Sequence, residues 1–214
     1  MEPFLAPCCI TPMNERQKNI VKDSRSIVLS LPNILTYGRI LAVPAVVATA
    51  FVQGDFGRWL CLGIFIVASI TDFFDGYLAR AWHQQSALGR MLDPIADKLL
   101  ISACLIVLCS NQIISGYSLW AAAIILMREI SVSGLREFLA ELRVSVPVTN
   151  LAKWKTTFQM VALGFLLAAP AGDKVLPYNT EIGIVLLWIA ALLTLYTGYD
   201  YFRAGLRHLI DSDN

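Results

Sequence analysis

Between Thr71 and Leu100 the chain reads TDFFDGYLARAWHQQSALGRMLDPIADKLL, a stretch with four aspartates: Asp72, Asp75, Asp93 and Asp97. The sequence that holds them is 57% hydrophobic and 15% charged. Carboxylates crowded into apolar surroundings repel one another unless they are protonated or neutralised. At about 100° per residue, Asp72, Asp75, Gly76 and Ala79 fall within an arc of roughly 100° on one helix. Gly89, Asp93 and Asp97 follow at i, i+4 and i+8, one stripe of a second helix. The polar turn between the two helices is short, so antiparallel neighbours with facing acidic stripes are expected. Gly and Ala on those stripes remove side-chain bulk and leave room for a ligand or a close helix. A pair of divalent cations is the natural neutraliser. Oxygen donors suit Mg²⁺ or Mn²⁺, and two such ions are the apparatus of displacement at phosphorus. The competing structural reading is a helix clamp in which Arg80, Arg90 and Lys98 pair with the aspartates. Four carboxylates on two matched stripes, with glycines interleaved, favour the metal site.

The elements that must position these residues are legible in the hydropathy. The chain has 214 residues and a mean hydropathy of +0.61, which suits a polytopic membrane protein. Apolar segments of about 20 residues, the length that crosses hydrocarbon as helix, are predicted at 34–52, 59–81, 91–111, 117–139, 152–171 and 182–204. Gln53-Gly54-Asp55, the AWHQQS turn of 81–86, the SNQIISG break of 110–116, the charged connection 136–150 and the Pro- and Gly-containing 170–181 separate them. Pro94 is expected to kink the start of the third helix. The fold class is therefore an all-α integral membrane domain of six transmembrane helices over residues 32–210. Residues 1–31 read as a cytoplasmic tail with room for a short interfacial helix; they lack the order of a cleavable signal peptide.

Lys and Arg are concentrated in the tail, the loop after span two, the connection after span four and the C-terminus. The opposite side holds only Arg58 and Lys174. By the positive-inside rule both termini are cytoplasmic, and the aspartates lie in the cytoplasmic third of the bilayer. A net charge of +1 gives no field for nucleic acid. The five cysteines show no metal-ligand spacing, and Cys61, Cys104 and Cys109 fall in apolar runs, as free thiols do.

The motif Asp72-x2-Asp75-Gly76-x2-Ala79-Arg80-x8-Gly89-x3-Asp93-x3-Asp97 resembles the signature of the CDP-alcohol phosphatidyltransferases at all eight fixed positions across 26 residues. The resemblance implies a six-helix membrane enzyme, a homodimer with two divalent cations, that cleaves a CDP-linked lipid at the lipid phosphate and releases CMP. It further implies that Asp72, Asp75 and Asp93 hold the metals, Asp93 touching both. Asp97 would share in the metal site and act as general base on the acceptor hydroxyl. Gly76, Ala79, Arg80 and Gly89 would line the cytidine and pyrophosphate pocket, with Asn33, Thr36 and Arg39 at the start of span one also in reach of the nucleotide.

LPNILTYGR at 31–39, REISVSGLRE at 128–137 and AKWKTTFQM at 152–160 resemble the bacterial branch whose donor is CDP-diacylglycerol and whose acceptor is glycerol 3-phosphate. That resemblance implies a place in the bacterial inner (cytoplasmic) membrane. Arg128 and Arg136, two helical turns apart, and Lys153 and Lys155 at the start of span five are the expected binders of the acceptor phosphate. Their alternative is pairing with Glu129, Glu137 and Glu141. Serine, inositol phosphate and phosphatidylglycerol remain rival acceptors. Membrane prenyltransferases also use aspartates with Mg²⁺, but their acidic motifs lie farther apart in sequence. A carboxylate-based transporter predicts midplane acids and repeated halves, and the sequence shows neither. Tyr196, Tyr199, Tyr201 and Phe202 read as an interfacial aromatic belt, and Gly63 and Gly164 as helix-packing contacts.

Overall fold

The computed structural model describes the backbone of residues 31–82, 87–141 and 150–212, and side chains over 34–72, 91–139 and 154–203 together with Gly89. Among these residues the protein is entirely helical: α1 (Leu31–Thr49), α2 (Asp55–Trp82), α3 (Ala87–Ser110), α4 (Ser118–Glu141), α5 (Asn150–Ala168) and α6 (Asn179–Ser212), with a 3-10 turn at Gly172–Lys174. The tail expected over residues 1–31 lies outside the described residues except for Leu31. Each helix overlaps one predicted apolar segment, and the breaks fall at or beside the predicted polar or Gly-containing stretches. Helices α1 and α3 run on through Pro44 and Pro94.

Two of the described connections are closed by local bonds. After α3, Gln112 adopts φ 59°. The Ile113 N–H donates to Leu108 O at 3.0 Å and the Gln112 N–H to Cys109 O at 3.1 Å. This is a Schellman cap with Gln where Gly is usual, and it satisfies two carbonyls that the helix leaves open. Between α5 and α6, Asn179 Nδ2 donates to Phe165 O at 2.8 Å. Asp173 accepts the Thr180 N–H at 2.9 Å and also the Thr180 hydroxyl, which caps the first turn of α6.

α1 packs against both α2 and α3, α6 packs against both α4 and α5, and α2 meets α5. The core between them is apolar, with Phe65, Leu100, Leu108, Ile125, Leu163, Leu166 and Leu187 fully buried. Cys61 and Cys104 are free, buried thiols within it. The exterior is apolar as well: Leu41, Val67, Ile106, Trp120, Met127, Ile130, Val185 and Leu192 are all exposed. Polar side chains, by contrast, lie inside: Thr36, Arg39, Lys155, Gln159, Thr194 and Thr197 are buried. A soluble domain distributes these residues the other way round. Ser118–Leu139 and Asn179–Arg203 are long and apolar enough to cross a membrane, and Ile34–Thr49 is apolar but shorter. Gly63 and Gly164 do not act as close helix contacts. A Cβ at either would meet nothing within 4 Å, and each lines an open apolar groove.

Gly172 is the glycine that its surroundings require. A Cβ there would lie 2.6 Å from Asn179 Nδ2 and would displace the side chain that caps α5. Gly172→Ala is expected to destabilise the fold by about 1–2 kcal/mol, read as a fall of about 3–6 °C in Tm in detergent. In the same connection, the Thr180 hydroxyl and backbone N–H hold the exposed Asp173 carboxyl below the usual carboxylate range. Its stabilising contribution is present above the unfolded carboxylate pKa of about 4 and is lost as pH falls through the lower folded value. On acidification through that window, wild-type Tm should fall by an increment that Asp173→Asn does not show.

Candidate active site

The polar side chains converge where the N-terminal halves of α1, α3 and α5 meet the C-terminal halves of α2, α4 and α6. This alternation requires the helices to thread up and down. Arg39 of α1 makes an ion pair with Asp72 of α2. Three residues earlier on the same face, the Thr36 hydroxyl donates to Asp93 Oδ1 of α3 at 2.5 Å. The acidic ends of α2 and α3 are thus tied together through α1, an intermediary that the two facing stripes do not suggest. Asp72 lies within electrostatic reach of both Asp93 and Asp97. Among the described residues Lys98 makes no ion pair with an aspartate; its ammonium donates to Pro94 O at 3.1 Å and to Ser133 Oγ of α4.

Next to this acidic cluster is a cavity of about 240 Å³, lined by residues that include Pro94, Asp97, Lys98, Arg128, Glu129, Ser133, Arg136, Lys155, Thr156 and Tyr201. It brings together Asp97 and three of the four cations predicted to hold the acceptor: Arg128, Arg136 and Lys155. Four cations (Lys98, Arg128, Arg136, Lys155) face two carboxylates (Asp97, Glu129), a formal excess of +2. The alternative of pairing with glutamates is realised in part. Lys155 makes an ion pair with Glu129. Arg128 Nη1 stands 3.7 Å from the same carboxylate, and its Nη2 donates to Thr197 Oγ1 of α6 at 2.9 Å. Arg128 Nε is buried without a hydrogen-bond partner among the described residues. A buried guanidinium donor left open beside a positively charged cavity is a site for an anion.

Other predicted residues are placed less completely. Gly89 is buried in α3. Asn33, Asp75, Gly76, Ala79, Arg80 and Lys153 lie outside the residues whose side chains are described. Among the described residues no group of three His, Cys, Asp or Glu side chains is close enough to hold a metal ion. The donor chemistry fits a hard divalent cation nonetheless. Asp72, Asp93 and Asp97 are oxygen ligands in mutual electrostatic reach, and Asp75 lies one turn beyond Asp72 on α2.

Sequence reasoning missed Tyr201, Thr197 and Ser133, and offered Glu129 only as an ion-pair partner. The sequence puts Tyr201 in the interfacial aromatic belt, yet it is 6% exposed and faces the cavity, whereas Tyr196 and Tyr199 are 59% and 65% exposed. The available signal was the stripe Thr194, Thr197, Gly198, Tyr201, which recurs at i, i+3, i+4 and i+7 on α6 as a polar and small face.

A helical fold with an apolar exterior, polar groups inside and an Asp-rich junction beside a basic cavity defines a class. The sequence model of the CDP-alcohol phosphatidyltransferases matches residues 29–196, and the chain belongs to that family. Within it, the chain is 47% identical to the CDP-diacylglycerol–glycerol-3-phosphate 3-phosphatidyltransferase of Rickettsia bellii over 175 residues, 82% of this chain and 94% of the relative. It is 41% identical to the protein of the same name from Cereibacter sphaeroides, covering 85% and 98%. It is also 38% identical to a CMP-forming cardiolipin synthase of Oryza sativa, covering 86% of this chain and 59% of that one.

The Arg39–Asp72 pair yields a direct test. Arg39 is 1% exposed and Asp72 is 42% exposed, so solvent weakens the pair but leaves Arg39 costly to strand. A double-mutant cycle of Arg39→Met and Asp72→Asn, followed by thermal unfolding in detergent, should give a coupling of about 1–2 kcal/mol. Additive single effects would show that the pair does not tie α1 to α2.

Proposed function

We propose that this chain is a six-span membrane enzyme that transfers the phosphatidyl group of CDP-diacylglycerol to the 1-hydroxyl of glycerol 3-phosphate, giving phosphatidylglycerophosphate and CMP. The observation that carries the reading is the cavity in which Asp97 meets Arg128, Arg136 and Lys155. A carboxylate able to take a proton stands there beside cations able to hold a phosphate dianion. The relatives named for this reaction cover nearly their whole length with this chain.

On this reading the cations seat the acceptor phosphate, Arg128 through its planar fork and the lysines as point charges. Asp97 removes the proton from the acceptor hydroxyl. The hydroxyl oxygen forms a bond to the lipid phosphorus while the bond from that phosphorus to the bridging pyrophosphate oxygen breaks, and CMP leaves with the electron pair. Two divalent cations, Mg²⁺ or Mn²⁺, held by Asp72, Asp75, Asp93 and Asp97, would neutralise the pyrophosphate and the leaving CMP. Asn33, Thr36, Arg39, Gly76, Ala79, Arg80 and Gly89 would border the nucleotide. The apolar exterior supports six crossings, and the distribution of Lys and Arg supports a cytoplasmic site in a bacterial inner membrane. A homodimer completes the proposal.

The second reading, favoured by the cardiolipin synthase relative, is phosphatidylglycerol as acceptor. Labelled CDP-diacylglycerol supplied with each acceptor in turn, in detergent with Mg²⁺ or Mn²⁺, decides between them by the lipid formed. Phosphatidylglycerophosphate with release of CMP is expected from glycerol 3-phosphate, and cardiolipin from phosphatidylglycerol would replace this reading. Asp97→Asn should lower kcat by about 10²-fold or more, and chelation of divalent cations should abolish turnover reversibly. Near wild-type turnover by folded Asp97→Asn would remove Asp97 from the role of base.

A further inference from the structure

We propose that α6 is the specificity element of the basic cavity: the Thr197 hydroxyl and the Gly198 backbone hold Arg128 in the position that selects a phosphorylated acceptor. The inference rests on the acceptor reading above, which assigns no role to α6.

Three observations meet at this point. Arg128 Nη2 donates to Thr197 Oγ1 at 2.9 Å, across a sequence separation of 69 residues. Thr197 Oγ1 in turn lies 2.9 Å from Leu193 O and 3.2 Å from Thr194 O. A hydroxyl has one proton. With that proton given to its own helix, the oxygen turns a lone pair to Arg128 and acts only as acceptor. The third observation is steric. A Cβ at Gly198 would lie 3.1 Å from Arg128 Cγ and 3.5 Å from Nε, so the arginine stem lies against the bare α6 backbone.

Glu129 explains why the arginine needs holding. Its carboxylate stands 3.7 Å from Arg128 Nη1, beyond direct hydrogen bonding, and is already engaged by Lys155. Without Thr197, a short swing of the guanidinium would complete a bidentate pair with Glu129 and turn the fork away from any substrate anion. Held by Thr197, Arg128 keeps Nε buried and without a partner among the described residues. The phosphate of the acceptor supplies that partner. Thr197 and Gly198 touch no substrate; they are positioning residues that act through Arg128.

The test uses the full-length protein in detergent with CDP-diacylglycerol and glycerol 3-phosphate. Thr197→Val keeps the shape and removes the acceptor oxygen. It should raise KM for glycerol 3-phosphate about tenfold, with kcat and the KM for CDP-diacylglycerol within about twofold of wild type. Thr197→Ser restores the oxygen and should bring the acceptor KM back to within about twofold. A purely structural role would instead move both KM values or kcat. Gly198→Ala crowds the Arg128 stem and should raise the acceptor KM in the same selective way, which keeps the inference testable if Thr197→Val does not fold. An unchanged acceptor KM in the folded variants, or an equal rise for both substrates, overturns it.

Inorganic phosphate gives a reading without turnover. At one phosphate concentration it should raise the Tm of wild type and Thr197→Ser clearly more than that of Thr197→Val. Equal protection of all three also overturns the inference. A wild-type protein that is protected by phosphate but makes no phosphatidylglycerophosphate would instead overturn the acceptor reading.

Discussion

Everything in this fold follows from placing charge inside an apolar bundle. Arg39 and Lys155 are buried, and the Arg128 side chain is 10% exposed, on helices whose outer faces are Leu, Ile, Val and Trp. Each charge must therefore find its partner on a neighbouring helix, and each partner fixes the register of two helices. Arg39–Asp72 sets α1 against α2, Thr36–Asp93 sets α1 against α3, and Lys98–Ser133 sets α3 against α4. Lys155–Glu129 sets α5 against α4, and Arg128–Thr197 sets α6 against α4. Apolar packing tolerates a sliding helix, because one Leu contact resembles the next. A stranded charge does not tolerate it, so the polar links give specificity of alignment even where their net contribution to stability is small.

The same links partition the site by sign. Acidic groups gather at the junction of α1, α2 and α3, and basic groups gather between α3, α4, α5 and α6. Asp97 belongs to both, since it feels the charge of Asp72 on one side and lines the basic cavity on the other. A phosphorylated acceptor would be repelled by a bare acidic cluster beside it. The proposed chemistry therefore needs positive charge at both places: fixed arginine and lysine side chains around the acceptor, and divalent cations among the aspartates. The fixed cations outnumber the carboxylates in the cavity, so that half of the requirement is met by the chain itself.

Much of this was legible in the sequence, and the reasons differ by feature. The six helices were readable because a 20-residue apolar run has few alternatives. The Asp-x2-Asp and Gly-x3-Asp-x3-Asp spacings were readable because helical geometry alone puts those residues on stripes. Arg128 stood out because a cation in the middle of an apolar run is expensive. Less visible were the relations between distant helices. Nothing in the local sequence of α1 says that Thr36 and Arg39 reach the acids of two different helices. Nor did the tyrosines in the second half of α6 declare which of them turns inward. Aromatic residues near the end of an apolar run suit an interfacial belt, and Tyr196 and Tyr199 have the exposure that such a belt needs. Tyr201 differs only in its phase, which places it on the face of Thr194 and Thr197.

That phase carries a more general argument about long cations in packed bundles. A buried arginine needs two things from the helix opposite: an acceptor for a guanidinium N–H and room for its stem. Adjacent positions on α6 provide them separately, Thr197 the oxygen and Gly198 the space. A larger residue at 198 would force the stem outward even with the hydroxyl in place. An apolar residue at 197 would leave the stem seated but release the fork toward Glu129. The two requirements are chemically independent, so a Thr-Gly step on one helix facing an Arg on another is a more informative pattern than either residue alone. On the proposed reading, it separates an arginine held for a ligand from one that is only neutralised by a neighbouring carboxylate.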